Sequence, residues 1–371
     1  MREYLLVMLI GTAVCFALTP ACRSLALRVG AVARVRGRDV HEHAIPYFGG
    51  LAMLGGVGAG FLTASQMPFL SRYPVVTSDS LVILAASAVI CAVGIIDDIV
   101  ELNALMKIAG QILAAGVLVL GGVRMQWLPW KSGIITLDPV AGILITVFVV
   151  FLCANAINII DGLDGLAAGI VAISASAFFI YAYWLTVEEN LVRATTATLI
   201  TVVMCGICLG YLPHNFHPAT IFMGDSGAML LGLLFAASTI CLTGQIDPST
   251  LSNRSSLLAA YIPLAMPIVS LGLPFLDMFV AYTRRTWQGV WWFVADKQHL
   301  HHRLLQRGHS QLGAVMIMYG WTALLAYSAM LLGIFPSMVT GIIVVLVIVS
   351  TLVFVILTGR KTSVAQPSEH P

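Results

Sequence analysis

The chain has 371 residues, of which 59% are hydrophobic and only 10% charged, with a formal net charge of +2 and a mean hydropathy of +0.95. A soluble globular chain carries roughly 25% charged residues, so this composition excludes an ordinary soluble domain and points to a polytopic membrane protein. The basic residues form no stripe interleaved with aromatics, which argues against a nucleic-acid binder.

In chain order, eleven apolar stretches are long enough to read as membrane helices. They lie near 4–22, 47–65, 79–96, 107–123, 138–155, 166–186, 193–211, 226–243, 256–282, 314–333 and 337–358. The first could pass for a signal peptide, but "MRE" has no net positive charge and "ALTPACR" is a poor cleavage site, so it reads as a span. The ninth holds Pro263, Pro267 and Pro274 and is expected to kink. No soluble domain and no internal repeat is evident. The reading is therefore all-α: one transmembrane domain over 1–359, and a polar tail, 360–371, expected to be disordered. The seven cysteines all fall in or beside apolar stretches and read as small buried side chains.

Lysine and arginine set the expected orientation. With the N-terminus outside, 13 of the 19 basic residues fall on inner loops or the tail: Arg23, Arg28, Arg34, Arg36, Arg38, Lys107, Arg284, Arg285, Lys297, Arg303, Arg307, Arg360 and Lys361. The C-terminus is then cytoplasmic. All nine histidines fall on that side too, with Asp97, Asp98, Asp161, Asp164 and Asp225. Carboxylates at a membrane edge are costly, and their gathering on one face points to a shared task.

Four motifs carry that task. "GIIDDIVEL" places Asp97 and Asp98 side by side at the inner end of the third span. Adjacent carboxylates repel unless a cation intervenes, and Mg²⁺ favours one or two carboxylates plus substrate phosphates; a solvated helix end is the plainer explanation. "NAINIIDGLDGLAAG" repeats Asp-Gly at a three-residue step, so on a helix Asn158, Asp161 and Asp164 would share one face. "HNFHPATIFMGDSGAML" sets Asp225 between two glycines before the eighth span, where it could serve a metal, a phosphate or a helix cap. "DKQHLHHRLLQRGHS" supplies His299, His301, His302, Arg303, Arg307 and His309. These suit a diphosphate, or else an amphipathic helix lying on anionic lipid.

In this order, "DDIVEL", "NAINIIDGLDGLAAG", "MGDSG" and "HLHHRL" resemble the polyprenyl-phosphate N-acetylhexosamine-1-phosphate transferases, and most of all the bacterial undecaprenyl-phosphate N-acetylglucosamine-1-phosphate transferases. "RDVHEHAIPYFGG" matches that family's early cytoplasmic segment. The resemblance runs from about residue 35 to residue 313. Two departures stand out: Asp39 replaces a more usual basic residue, and "ELNALMKIAGQ" carries less basic character than expected.

The resemblance implies a multi-pass enzyme of the bacterial plasma membrane with its site on the cytoplasmic face. It would move N-acetylglucosamine-1-phosphate from UDP-N-acetylglucosamine to a polyprenyl phosphate, releasing UMP, with Mg²⁺ or alternatively Mn²⁺ as cofactor. It implies catalytic roles for Asp97, Asp98, Asp161 and Asp164, metal ligation by Asp225 and Asp161, and substrate binding by His41, Asn155, Asn158, His299, His301, His302 and Arg303. A homodimer is compatible with it.

Rival readings fit less well. An intramembrane aspartyl protease wants GxGD, whereas here the run is Phe222-Met223-Gly224-Asp225. A CDP-alcohol phosphotransferase wants an arginine soon after its first Asp-Gly. A transporter of an anionic solute, the non-enzyme alternative, should hold ionisable groups near mid-membrane at broken helices. Asp277, inside the ninth span, is the exception, expected near the inner end and paired with Arg284 or Arg285.

Overall fold

The computed structural model describes residues 1–33, 45–130, 133–188, 194–244, 261, 264–266, 268–269, 271–287, 300–335 and 337–359. Twelve helices are defined among them. They are α1 (Arg2–Val29), α2 (Gly49–Gln66), α3 (Pro74–Val100), α4 (Ala104–Leu120), α5 (Pro139–Ile160), α6 (Leu166–Val187), α7 (Ala194–Asn215), α8 (Gly224–Gly244), α9 (Gly272–Trp287), α10 (Leu300–Gln306), α11 (Gln311–Ile334) and α12 (Met338–Gly359). Each of the eleven expected stretches overlaps a helix, although the start of the ninth and the polar tail lie outside the described residues. Among the described residues, seven helices are long and apolar enough to cross a membrane: α1, α3, α5, α6, α7, α8 and α11. Ala104–Leu120 and Met338–Ser350 are shorter apolar helices.

One element lies outside the all-α expectation. Between α4 and α5 the chain forms an antiparallel pair, β1 (Trp127–Trp130) and β2 (Gly133–Thr136), with Trp127 opposite Thr136. Tryptophan, isoleucine and threonine suit a pleated surface, and the segment is too short for a further span.

Local chemistry fixes the helix starts. Asp138 Oδ1 accepts from the N–H groups of Val140 and Ala141, and Pro139 follows at the first helical position of α5. Asn103 caps α4 through Met106 N–H at 2.9 Å, and Ser310 caps α11 through Gly313 N–H at 3.1 Å. Glu3 binds α1 to the α2–α3 turn: its carboxylate accepts from the N–H groups of Phe69 and Leu70. Tyr4 meets Phe69, Phe179 and Tyr183 edge-on beside it. Such an aromatic cluster is typical of a membrane–water boundary.

The core is arranged around α8, which is buried along its whole apolar length and packs on α2, α3, α5 and α7. Further out, α1 packs on α2 and α7, α6 on α7, and α11 on α6. The periphery is apolar: Leu9, Leu62, Leu81, Leu144 and Phe148 are all exposed, as a lipid-facing surface requires. The seven cysteines are free and buried.

Two glycines allow the central helices to touch. A Cβ at Gly94 of α3 would lie 2.3 Å from Ser226 Cα, and one at Gly232 of α8 would lie 2.3 Å from Ala154 Cα. Small residues at such crossings let backbones approach where no hydrophobic effect separates helix from lipid. Gly94→Ala and Gly232→Ala should each destabilise the protein by about 1–3 kcal/mol through overpacking. Gly116→Ala, whose Cβ meets nothing within 4 Å, should not. Thermal unfolding of the detergent-solubilised variants checks this; equal melting midpoints for all three would contradict the packing described.

Candidate active site

The antiparallel course of the helices brings distant polar residues to one end of the bundle. Helices α3 and α5 finish there, and α4 and α8 start there. Asp97 and Asp98 occupy the last turn of α3, Lys107 the first turn of α4, Asn155 and Asn158 the last turns of α5, and Asp225 the first turn of α8.

Lys107 joins them. Its Nζ lies 2.5 Å from Asp97 Oδ2 and 2.5 Å from Asp225 Oδ2. The other oxygen of Asp97 accepts from Leu102 N–H at 2.7 Å, closing the end of its own helix. Asp98 turns instead to the start of α8, where its carboxylate accepts from Asp225 N–H at 2.8 Å and from Ser226 N–H at 3.4 Å. An anion at a helix N-terminus satisfies orphan donors and the helix dipole together. Gly224 (φ +70) makes this approach: a Cβ there would lie within 2.5 Å of Asp98 Oδ2. The Asn158 side chain lies beside Asp225. Asn155 donates to Gln111 Oε1 of α4 at 3.0 Å and to the carbonyl of Phe151, so its amide nitrogen ties α5 to α4.

The Asp-Gly repeat does not continue the helix. Helix α5 ends at Ile160, Asp161 follows it as the capping residue, and 161–165 is a turn closed by Gly165 at φ +74. Asn158, Asp161 and Asp164 therefore do not share a helical face; two glycines three residues apart favour the turn over the helix. Asp161 stays with the cluster. Burial, then the charges of Asp225, Asp98 and Asp164, push its carboxyl up to about 7. Asp164 lies beneath, its side chain fully covered. Its Oδ2 accepts from His217 Nδ1 at 2.8 Å and from Ala219 N–H at 3.1 Å. Asn215 holds the same turn, accepting from Gly165 N–H at 3.0 Å and donating to the Ile221 carbonyl. From α11, Tyr319 donates to the Gly165 carbonyl.

The segment before α2 meets this end. The chain at 46–50 is pinned to the approach to α8: Phe222 N–H donates to the Pro46 carbonyl, Gly49 N–H to that of Phe222 and Gly50 N–H to that of Met223. His41, just upstream, lies outside the described residues. In the histidine segment, Leu300 N–H donates to Asp277 Oδ1 at 2.9 Å, which ties the start of α10 to α9, and α9 packs on α5. His302 is half-buried and Arg303 exposed on α10. His299 and the side chain of His301 lie outside the described residues.

These groups fit a divalent cation shared with a substrate. Every carboxylate is a hard oxygen donor, and the place between Asp97 and Asp225 already accommodates a positive charge. Among the described residues no three His, Cys, Asp or Glu side chains converge into a ready cage. Lys107, Gln111, Asn215, His217 and Tyr319 were not singled out from the sequence. Lys107 left a signal as a single cation one turn into the helix after the Asp pair, and Asn215 and His217 stood inside the motif that carries Asp225.

The chain matches the family described as "Glycosyl transferase family 4" over residues 80–243. It is 42% identical to the decaprenyl-phosphate N-acetylglucosaminephosphotransferase of Mycolicibacterium smegmatis, covering 95% of this chain and 89% of that protein. The Mycobacterium tuberculosis protein of the same name is 44% identical over 89% of this chain and 82% of its own length. A probable undecaprenyl-phosphate N-acetylglucosaminyl 1-phosphate transferase of Bacillus subtilis is 34% identical, covering 81% and 77%. With relatives this similar aligned over most of their length, the chain belongs to the polyprenyl-phosphate N-acetylhexosamine-1-phosphate transferase family.

Proposed function

We propose that this phosphosugar transferase moves N-acetylglucosamine-1-phosphate from UDP-N-acetylglucosamine to a polyprenyl phosphate, at the cytoplasmic face of a bacterial plasma membrane. The observation that carries the reading is the carboxylate cluster bridged by Lys107 at the end of an apolar bundle. It supplies hard oxygen ligands and a cation where two anionic substrates must meet. The names of the relatives supply the substrate classes, a polyprenyl phosphate and N-acetylglucosamine phosphate. The transporter alternative gains nothing from them, and the polar groups gather at one end rather than at broken helices in mid-span.

In this reading an oxygen of the lipid phosphate attacks the β-phosphorus of the donor. The bond from that phosphorus to the bridging oxygen breaks, the electron pair leaves with UMP, and the sugar keeps its bond to the β-phosphate. The lipid phosphate is already ionised at neutral pH, so positioning and charge screening carry most of the rate. Mg²⁺, held by Asp225 with Asp161 nearby, would screen the donor's diphosphate. Lys107 keeps Asp97 and Asp225 together and adds a positive charge near the phosphates. Asp98 fixes the first turn of α8 and hence Asp225. Asn158 orients Asp225, the 161–165 turn lies toward the nucleotide with Asp161 on it and Asp164 buried beneath, and His302 and Arg303, with His41, His299 and His301, would take phosphate and sugar oxygens. All described site groups come from one chain.

The fuller topology belongs to the same proposal: eleven spans in one catalytic domain over 1–359, the N-terminus outside, and the tail 360–371 in the cytoplasm. The β1–β2 hairpin then lies outside and the 161–165 turn inside. In a background without the native cysteines, a cysteine at the exposed Gln126 should react with an impermeant thiol reagent added to intact cells, and one at the exposed Gly162 should not. Labelling of the 162 position from outside would overturn the orientation.

The chemistry is tested with donor carrying ³²P at the β-phosphate. Purified protein, polyprenyl phosphate and Mg²⁺ should transfer sugar and ³²P together into the lipid and release UMP in equal amount. Sugar in the lipid with label left in aqueous UDP would instead mark cleavage of the sugar–phosphate bond and refute the mechanism.

A further inference from the structure

The loop between α7 and α8 carries a histidine that the reaction as described does not use. His217 places Nδ1 2.8 Å from Asp164 Oδ2. The pair is uneven: the His217 side chain is 44% exposed and that of Asp164 has no exposed surface. The same oxygen accepts from the backbone of Ala219. One carboxylate oxygen on the 161–165 turn thus takes two donors from the loop that leads to Asp225. Close by, Asn215 holds Gly165 N–H and the Ile221 carbonyl. Together these bonds lock the turn that carries Asp161 to the loop that carries Asp225, and His217 is the member of this lock that reaches solvent.

We propose that His217 is a positioning residue for the nucleotide-sugar donor, acting through Asp164; the proposal rests on the reading that the 161–165 turn faces the nucleotide. A buried carboxylate needs its hydrogen bonds, and losing one donor to a charged group is costly. Without the imidazole, Asp164 Oδ2 keeps the Ala219 backbone donor but loses the one that His217 supplies. The turn is then freer to shift against Asp225, and the donor pays for its reordering on binding. The proposed mechanism sets this turn toward the nucleotide and gives it no part in holding the lipid phosphate, so acceptor binding should not change. Because Nδ1 makes the bond, asparagine, whose Nδ2 falls near the same place, should replace histidine. Glutamine, whose amide reaches the position of Nε2, should not.

The test uses full-length protein in detergent or nanodiscs, with steady-state kinetics in both substrates and calorimetric binding of UDP-N-acetylglucosamine. His217→Ala should raise the KM and the Kd for the donor about 10-fold or more, change kcat less than about 3-fold, and leave the KM for polyprenyl phosphate unchanged. His217→Asn should recover most of the donor affinity and His217→Gln little of it. Several results would overturn the proposal: unchanged donor affinity in His217→Ala, glutamine rescuing better than asparagine, or both substrate KM values rising in step with a lower melting midpoint. If His217→Ala does not fold, the asparagine–glutamine comparison decides alone. A wild-type protein that neither binds nor turns over the donor would instead refute the function on which the inference rests.

Discussion

Four carboxylates, Asp97, Asp98, Asp161 and Asp225, meet at one end of an apolar bundle, and the rest of the structure can be understood as the means of keeping them together. Two ionised carboxylates about 4 Å apart repel by roughly 4 kcal/mol at an effective dielectric constant near 20. Lys107 offsets part of this by lying against Asp97 and Asp225 at once. The start of α8 offsets more, since its N–H groups donate to Asp98. The turn at 161–165 is left with the residual charge, and Asp161 is pushed up to about 7 as a consequence of burial and its acidic neighbours. Such a cluster is poorly balanced by the protein alone. It has a clear physical use when a further cation and a diphosphate complete it.

The fold supplies the rigidity this requires. Helix α8 is enclosed by α2, α3, α5 and α7, and its crossings with α3 and α5 are close because Gly94 and Gly232 carry no side chain. Its first turn is therefore fixed by packing below and by Asp98 above. The 161–165 turn is held by Asn215 and His217 from the next loop and by Tyr319 from α11. Sites held by packed helices and a second layer of hydrogen bonds keep their geometry better than sites on free loops.

Much of this was legible in the sequence for identifiable reasons. Apolar stretches of about 20 residues mark helices directly, and each of the eleven overlaps a helix among the described residues. Aspartates in such a chain stand out because burying them is expensive, so Asp97, Asp98, Asp161 and Asp225 could be named in advance. What was not legible depends on contacts between distant segments. The three-residue step in "NAINIIDGLDGLAAG" reads as a helical face, but Gly162 and Gly165 end the helix. Lys107 is one cation in an apolar helix until Asp97 and Asp225 approach it from two other helices. Asn155 resembles a ligand-binding amide, yet its nitrogen is taken by Gln111 and Phe151. The Trp-Leu-Pro-Trp strand is too brief to carry a pattern of alternation.

We propose that these carboxylates hold a divalent cation jointly with a nucleotide diphosphate. Electron paramagnetic resonance with Mn²⁺ in place of Mg²⁺ tests it directly on the purified protein. The account predicts one tightly bound Mn²⁺ per chain when UDP is present, weak binding without it, and loss of the tight site in folded Asp225→Asn. Equally tight Mn²⁺ binding without nucleotide, or an undiminished site in Asp225→Asn, would contradict it.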